Sequence, residues 1–525
     1  MKDYKLIFIL DAHLPYVRNE VEQGLVEEDW LFDALSYLYL PVLKMCSNLQ
    51  KDDIPFKIGV VFEPALCDML ADRVLQDRYR QNVQRKIEFA KKELECFAEC
   101  ADTKKLIQYN LKRFNDDKRI FEDCGGNVLK QFDYLARQGY VELLATTATN
   151  SFLPFFLSMP EAIAAQIEMG QINYRKHFSA VPSGFWIPSM AYFDGLDDII
   201  RSYGYDYTVV SSEGFLLSDK VPPAGVFSAA ASKNGLKFLA CDLSACNSIY
   251  DEPNGFPQNK LYIDVENDVG FKQSEEYLAT VFDTSKGRRA IGFRYWSQDE
   301  EETLYDIQKA HAQILADAES YVNSRAEALR AVKETGECES PFSLLIISSD
   351  FFGKKWCEGI IWLEQVFSLI NDNEELETML PSVAANLSKQ LYTVKPFFSS
   401  FLGAGYADEL LTKENDWMYR YIIKITERMI DLVEMFPADG SLKERVLNAA
   451  AREVLLLQSI YWPLYINDPQ LKEFAERRFV EHVNSFTAAY EALGADSPDA
   501  KWLSERESKY PVFKDINYRI FSRKK

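Results

Sequence analysis

Three stretches of this sequence place polar, titratable side chains directly after a short apolar run, the pattern expected where a buried strand ends. Residues 5–10 lead into Asp11-Ala12-His13-Leu14-Pro15-Tyr16, and residues 344–347 lead into Ser348-Ser349-Asp350-Phe351-Phe352-Gly353. Between them, Pro182-Ser183-Gly184-Phe185-Trp186-Ile187-Pro188 ends in Ser189-Met190-Ala191-Tyr192. Asp11, His13 and Asp350 are residue types that move protons. Ser348 and Asp350, two apart on a strand, face the same side. Asp350 can therefore direct a carboxylate toward a cleft, with Asp11 supplying another opposite His13. The simpler role for Asp350 is to bond neighbouring loops. Ser189 is a weak nucleophile without an adjacent base. Ser348 is no general acid near neutral pH, because an alcohol ionises far from the working range. The chain has four histidines, and none stands in a ligand cluster, so neither a metal nor another cofactor is expected. His177, His311 and His482 fall in polar helical runs and are expected at the surface.

The elements that must position these residues alternate along the chain. A strand at 5–10, a helix from Glu27 to Tyr39 with Pro41 beyond it, and a strand at 56–62 form a βαβ unit. Residues 65–124 are charged, helical in period and poor in Gly and Pro, which predicts a helical insertion. Further strands are predicted at 141–145, 207–210, 238–241, 291–295 and 344–347, and helices at 161–177, 196–203 and 303–332. Helices dominate from about Trp417, at 416–436, 442–461 and 468–493. A strand end of this kind in an α/β barrel belongs to the catalytic face. The loop-rich region from Ser382 to Gly405 carries the domain boundary, giving a barrel domain at 1–390 and a helical domain at 391–525.

Composition narrows the function classes. The chain has 525 residues, enough for two or three domains, and its 47% hydrophobic content supplies a sizeable core. A net charge of −21 argues against nucleic acid and anionic membranes as partners. Nine cysteines, without CxxC pairs, point to a reducing compartment. The apolar run at 6–10 is too short for a signal peptide, and no stretch approaches the ~20 apolar residues of a membrane span. A cytoplasmic location is expected.

The stretch from Gly184 to Tyr192 closely resembles the nucleophile motif of glycoside hydrolase family 57, its α-glucan branching enzymes in particular, which reads Gly-Phe-Trp-Leu-Pro-Glu-Cys-Ala-Tyr. Ser189 stands at the glutamate nucleophile and Met190 at the cysteine. The resemblance covers essentially the whole chain. Asp11-Ala12-His13-Leu14-Pro15-Tyr16 resembles the family's His-Ala-His-Leu-Pro-Tyr, with Asp11 at the first histidine. Glu27–Phe32 resembles its Glu-Asp-Trp-Leu-Phe segment. Thr149-Asn150-Ser151 resembles Thr-His-Gly, with Asn150 at another histidine. Ile347–Trp356 resembles the segment that holds the catalytic acid, with Ser348 at the aspartate and Lys354-Lys355 at its His-Trp pair. Ser399-Ser400-Phe401 and Gly405-Tyr406 resemble a Ser-Ser-Trp-Gly region, and Tyr461 stands at an aspartate before Trp462.

The resemblance implies an incomplete (β/α)7 TIM-like barrel with a helical insertion and a C-terminal α-helical domain. It also implies an α-glucan or maltooligosaccharide ligand, bound by His13, Trp186, Tyr192, Trp296, Trp356 and Trp462. Those aromatics are expected to converge on a cleft at the strand carboxyl ends, with His13 near its floor. The chain holds 35 Phe, 28 Tyr and 8 Trp, most of which belong to core on any reading. Without the two family carboxyls, a catalytically inactive glucan-binding or regulatory homologue is expected. An active enzyme using Asp350 and Asp11 is the second reading, and a scaffold that engages a protein partner without sugar is the third.

Overall fold

The computed structural model describes residues 2–523 except 20–25, 286, 300, 389, 403–405, 437 and 439. Gly405 of the expected Gly-Tyr pair lies outside the described residues.

Among the described residues ten strands run in chain order: β1 Tyr4–Ala12, β2 Ile58–Phe62, β3 Val141–Leu144, β4 Gly184–Phe185, β5 Tyr207–Val210, β6 Ala230–Ala231, β7 Lys237–Ala240, β8 Phe342–Ser348, β9 Leu376–Thr378 and β10 Tyr392–Thr393. One sheet has the parallel order β3-β2-β1-β8, with β9 also paired to β1. In the other, β4, β5 and β7 are parallel neighbours, and β6 joins β7 in antiparallel fashion. The parallel bridge between Ala145 and Phe185 joins β3 to β4. Across the remaining gap the Asp242 N–H donates to the Leu344 carbonyl at 2.9 Å. Seven parallel strands, β1, β2, β3, β4, β5, β7 and β8, thus close a barrel whose β7–β8 seam is a contact rather than a ladder. Burial dictates this arrangement. β2 is buried along its whole length, and β1 everywhere except at Asp11, as parallel strands covered on both faces must be.

The insertion folds as the helices Pro64–Leu70, Arg73–Cys96 and Ala101–Asp123. Beyond the barrel, Asp416–Met435, Leu442–Leu457, Tyr461–Tyr465, Lys472–Gly494 and Ala500–Lys509 form the C-terminal helices. Among the described residues no helix is long and apolar enough to cross a membrane.

Four local expectations need correction. Residues 291–295 form no strand. The Ile291 and Gly292 N–H groups are instead satisfied by the Asp268 carboxylate at 2.9 Å each, and Arg294 makes an isolated antiparallel bridge to Asp268. The first helix does not stop before Pro41. Val26–Ala34 passes through a π-helical turn, Leu35–Tyr39, into Leu40–Lys51, and a widened turn of this kind accommodates a residue with no N–H to donate. The predicted 442–461 helix breaks after Leu457 and restarts at Tyr461. His177 and His482 are not surface residues. His482 is buried with Nδ1 2.6 Å from Glu453, and the His177 ring is 3.1 Å from Asp68. Both were misplaced for one reason: a buried carboxylate partner lets an imidazole leave water. His311 is exposed as expected.

Candidate functional site

The carboxyl ends of the barrel strands bring Asp11, His13, Glu63, Asn150, Ser189, Ser348 and Asp350 to one face of the molecule. His13 is the hub. Its Nε2 lies 3.8 Å from an Asp11 oxygen and 3.6 Å from an Asp350 oxygen. Its Nδ1 lies 3.1 Å from the Tyr461 hydroxyl. That phenol donates to Glu63 at 2.7 Å, and the same Glu63 oxygen accepts the Leu14 N–H at 3.0 Å. The loop after β8 is clasped to the loop after β1 because Ser349 Oγ accepts the His13 N–H at 3.1 Å and meets the His13 carbonyl at 3.2 Å. Asp11 and His13 each expose 13% of their side chains, and Asp350 exposes 48%. The hub is therefore reached from solvent through Asp350.

Burial sets the charge state of this cluster. It pushes the Asp11 carboxyl up to about 6 against the pull of His13, with Asp350 adding to the rise. It pushes Glu63 up to about 7, opposed by the Tyr461 hydrogen bond and His13. For His13 burial acts downward, yet Asp350, Asp11 and Glu63 outweigh it, so the imidazole holds its proton above the ordinary histidine value. The arrangement can store and relay a proton among one imidazole and three carboxyls.

The two serines sit differently. Ser189 has φ 53° and ψ 19°, followed by Met190 at φ 50°, and Asn150 lies at φ 40°. Three non-glycine residues in the left-handed region, each costing roughly 1–3 kcal/mol, mark a strained site of the kind that accompanies function. The Ser189 carbonyl accepts the Phe401 N–H at 2.8 Å, so the segment after β10 covers this turn. Ser348 Oγ accepts the Asp350 N–H at 3.2 Å. Its own N–H donates to the Tyr250 hydroxyl at 2.9 Å, and Tyr250 donates to the Ile346 carbonyl at 2.9 Å.

The aromatic frame does not converge as expected. Trp186 alone of the five stands with the hub, its indole beside Asp11 without closing a hydrogen bond. Tyr192 packs edge-on to Phe238 and donates to Asp197 at 3.1 Å. Trp356 is buried among Phe352, Tyr262 and Trp362. Trp462 belongs to the helical core, against Phe474 and His482, with its N–H on the Leu456 carbonyl. Trp296, half-buried, pairs with Tyr295 and Leu304 on the loop after Asp268. Conversely, Glu63, Tyr250 and Tyr461 were not among the candidates. Glu63 shows in the sequence only as an acid closing a buried strand, which was the available signal. Among the described residues no group of three or more side chains is arranged to hold a metal ion.

A parallel barrel with strained turns and a proton-holding cluster at its strand carboxyl ends defines an α/β-barrel protein of the kind that hosts enzymes. The comparisons are more specific. The family model of glycosyl hydrolase family 57 matches residues 7–396, and that of the 1,4-alpha-glucan branching enzyme C-terminal region matches residues 421–521. The chain belongs to glycosyl hydrolase family 57. It is 25% identical to the 1,4-alpha-glucan branching enzyme of Thermococcus kodakarensis, over 98% of this chain and 78% of that one. Its structure is similar to the alpha-amylase AmyC of Thermotoga maritima, with a TM-score of 0.92 and 28% identity over 100% of both chains. The branching enzyme of Pyrococcus horikoshii has the same fold, with a TM-score of 0.88 and 24% identity over 100% of this chain and 98% of that one.

Proposed function

We propose that this protein is a catalytically inactive, α-glucan-binding or regulatory homologue of the 1,4-α-glucan branching enzymes. One observation carries the reading: Ser189 and Ser348 are alcohols at the positions where the family resemblance puts nucleophile and acid. A retaining glycosidase needs two carboxyls about 5–5.5 Å apart, one to attack the anomeric carbon and one to protonate the leaving oxygen. Two further features support it. Ser348 Oγ is engaged by the Asp350 N–H, and the Tyr461 phenol ties together Glu63 and His13, groups a sugar hydroxyl would otherwise meet. The glucan as ligand rests on the relatives, since the T. kodakarensis enzyme is named for its action on 1,4-α-glucan and was crystallised with glucose. The domain division proposed at 390/391 is supported by family matches that end at 396 and begin at 421.

A second reading keeps activity, through Asp350 and Asp11 as a relocated pair. The observation in its favour is the placement of both carboxyls within 3.8 Å of His13, with Asp11 raised to about 6 by burial. Incubation with amylose, followed by iodine staining and quantification of new α-1,6 linkages, separates the two. The expected result is no change above buffer. New linkages that vanish in Asp350→Asn establish the second reading instead. Retention on an amylose affinity gel then separates a glucan-binding homologue from one that engages a protein partner without sugar.

A further inference from the structure

A cavity of about 390 Å³ lies between the helices Leu40–Lys51, Ala101–Asp123 and Gly359–Asp372, its wall reaching Cys357 and Glu358 beyond Asp350 in the chain. None of Asp11, His13, Ser189, Ser348 or Asp350 lines it. Its volume falls within the roughly 300–1,000 Å³ of small-molecule sites. Part of its polar lining is already paired: Lys44 with Asp116 at 2.8 Å and Asn48 with Glu364 at 3.0 Å. Four buried atoms in the wall are not. They are Oδ2 of Asp117, Oε2 of Glu358 and Nε of both Arg113 and Arg294. Asp117 is 3% exposed and Glu358 is 1% exposed. The Ser36 and Tyr305 hydroxyls approach the two carboxyls without reaching hydrogen-bond geometry. Glu358 Oε1 is held by the Ile263 N–H at 2.9 Å, and Arg113 by the Tyr37 hydroxyl at 3.0 Å, so both are fixed in place. Buried polar groups are paired with few exceptions, and an exception asks for a partner.

The chemistry of the wall selects that partner. An anion entering here meets two carboxyls, and a cation meets Arg113 with Arg294 beside it. A neutral group that both donates and accepts suits all four unpaired atoms, and a hydroxyl is the simplest such group. Burial raises both Asp117 and Glu358 to about 7, so near neutrality each can either accept from a hydroxyl or donate to one. The rest of the wall mixes polar residues such as Asn110, Lys112 and Gln365 with apolar ones, of which Leu40 and Ile361 are available to the C–H face of a ring. We propose that this cavity is a second ligand site, separate from the barrel mouth, that binds a neutral polyhydroxylated small molecule, a mono- or disaccharide.

The test is calorimetric titration of the full chain at pH 7 with glucose, with maltose and with inorganic phosphate as the anionic probe. One saturable sugar-binding component should weaken at least tenfold in Ile361→Trp, which fills the cavity. It should also weaken in Asp117→Asn, which keeps the side-chain shape, and survive in Trp186→Ala at the barrel mouth. Circular dichroism of each variant separates lost binding from lost fold, and Asp117→Asn carries the test if Ile361→Trp does not fold. The proposal is overturned if neither sugar binds saturably, if phosphate binds more tightly than either sugar, or if all sugar binding is lost in Trp186→Ala and kept in both cavity variants. Because the mouth and the cavity answer to different substitutions, failure here leaves the barrel-mouth reading intact.

Discussion

Glu63 shows how burial, rather than residue type, decides the charge of this site. It accepts from Leu14 and Tyr461 while enclosed by protein, and its carboxyl is pushed up to about 7 by burial from an ordinary value of 4.5. The consequence for stability has a definite sign. As pH rises from about 4.5 to about 7, the unfolded chain has lost this proton while the folded chain still holds it. The folded state therefore loses stability across that window. At about 1.4 kcal/mol per pKa unit the contribution is at most about 3.5 kcal/mol. Glu63→Gln keeps an acceptor for both donors and removes the titration. Urea unfolding of the variant should show a shallower loss of stability between pH 5 and 7.5 than the wild type, by about 2–3 kcal/mol. Identical slopes would show that Glu63 is not the buried acid described. Asp11, His13 and Asp350 were legible in the sequence because each follows an apolar run directly. Glu63 obeys the same rule, but it shows in the sequence only as the acid that closes the strand at 56–62. Tyr461 was legible only as a changed position, since no local pattern shows that a phenol from residue 461 reaches a strand end at residue 63.

At the scale of elements, the strands were read from unbroken apolar runs, which is the signature of a parallel barrel wall. The segment Ile291-Gly292-Phe293-Arg294-Tyr295 alternates instead; among the described residues it has no neighbouring strand to pair with, and the Asp268 carboxylate took the place of the ladder. Side-chain direction was the harder quantity. Tyr461 and Trp462 are adjacent on one helix, about 100° apart around its axis, so one faces the hub and the other the helical core. A sequence position at a site-lining motif therefore does not fix where its aromatic ring goes. The same dependence on elements governs repair of the chemistry. Ser189→Glu with Ser348→Asp would supply two carboxyls at the positions the resemblance singles out, but the turn at Ser189 is left-handed and covered by Phe401. Tyr461 remains tied to Glu63, and Asp11 and Asn150 remain where the family resemblance expects histidines. Catalytic groups must be held to within about 0.5 Å of productive geometry by such neighbours. The double variant should fold, with an unchanged circular dichroism spectrum, and release no reducing sugar from maltoheptaose. Robust hydrolysis by the double variant alone would refute the view that the supporting residues, and not only the two carboxyls, have changed.

At the scale of the whole molecule, the barrel and the C-terminal helices are locked together by buried polar groups. Arg478, fully buried, donates to the Tyr510 hydroxyl at 2.8 Å within the helices and to the Val17 carbonyl at 3.2 Å after β1. Arg18 returns the connection, bonding the Ser508 carbonyl at 3.0 Å while pairing with Asp72 of the insertion at 2.9 Å. Asp68 takes the Phe513 N–H at 2.7 Å together with Lys176 and His177. Burial pushes the Asp68 carboxyl upward, but the bonds from His177 and Lys176 prevail and hold it below the ordinary value. At the mouth, Thr149 Oγ1 donates to the Leu455 carbonyl at 2.6 Å and the Ile460 N–H to the Asn150 carbonyl at 3.2 Å. Separating the two parts leaves Arg478 and Asp68 short of partners, and stripping a partner from a buried charge costs about 3–5 kcal/mol each. Two regions with separate family matches should consequently unfold as one. Scanning calorimetry of the full chain should give a single transition with calorimetric and van't Hoff enthalpies in agreement, and residues 1–398 expressed alone should fail to give a monomeric folded protein. Two resolved transitions, or a stable truncated barrel, would show that the interface joins two independent domains rather than completing one structure.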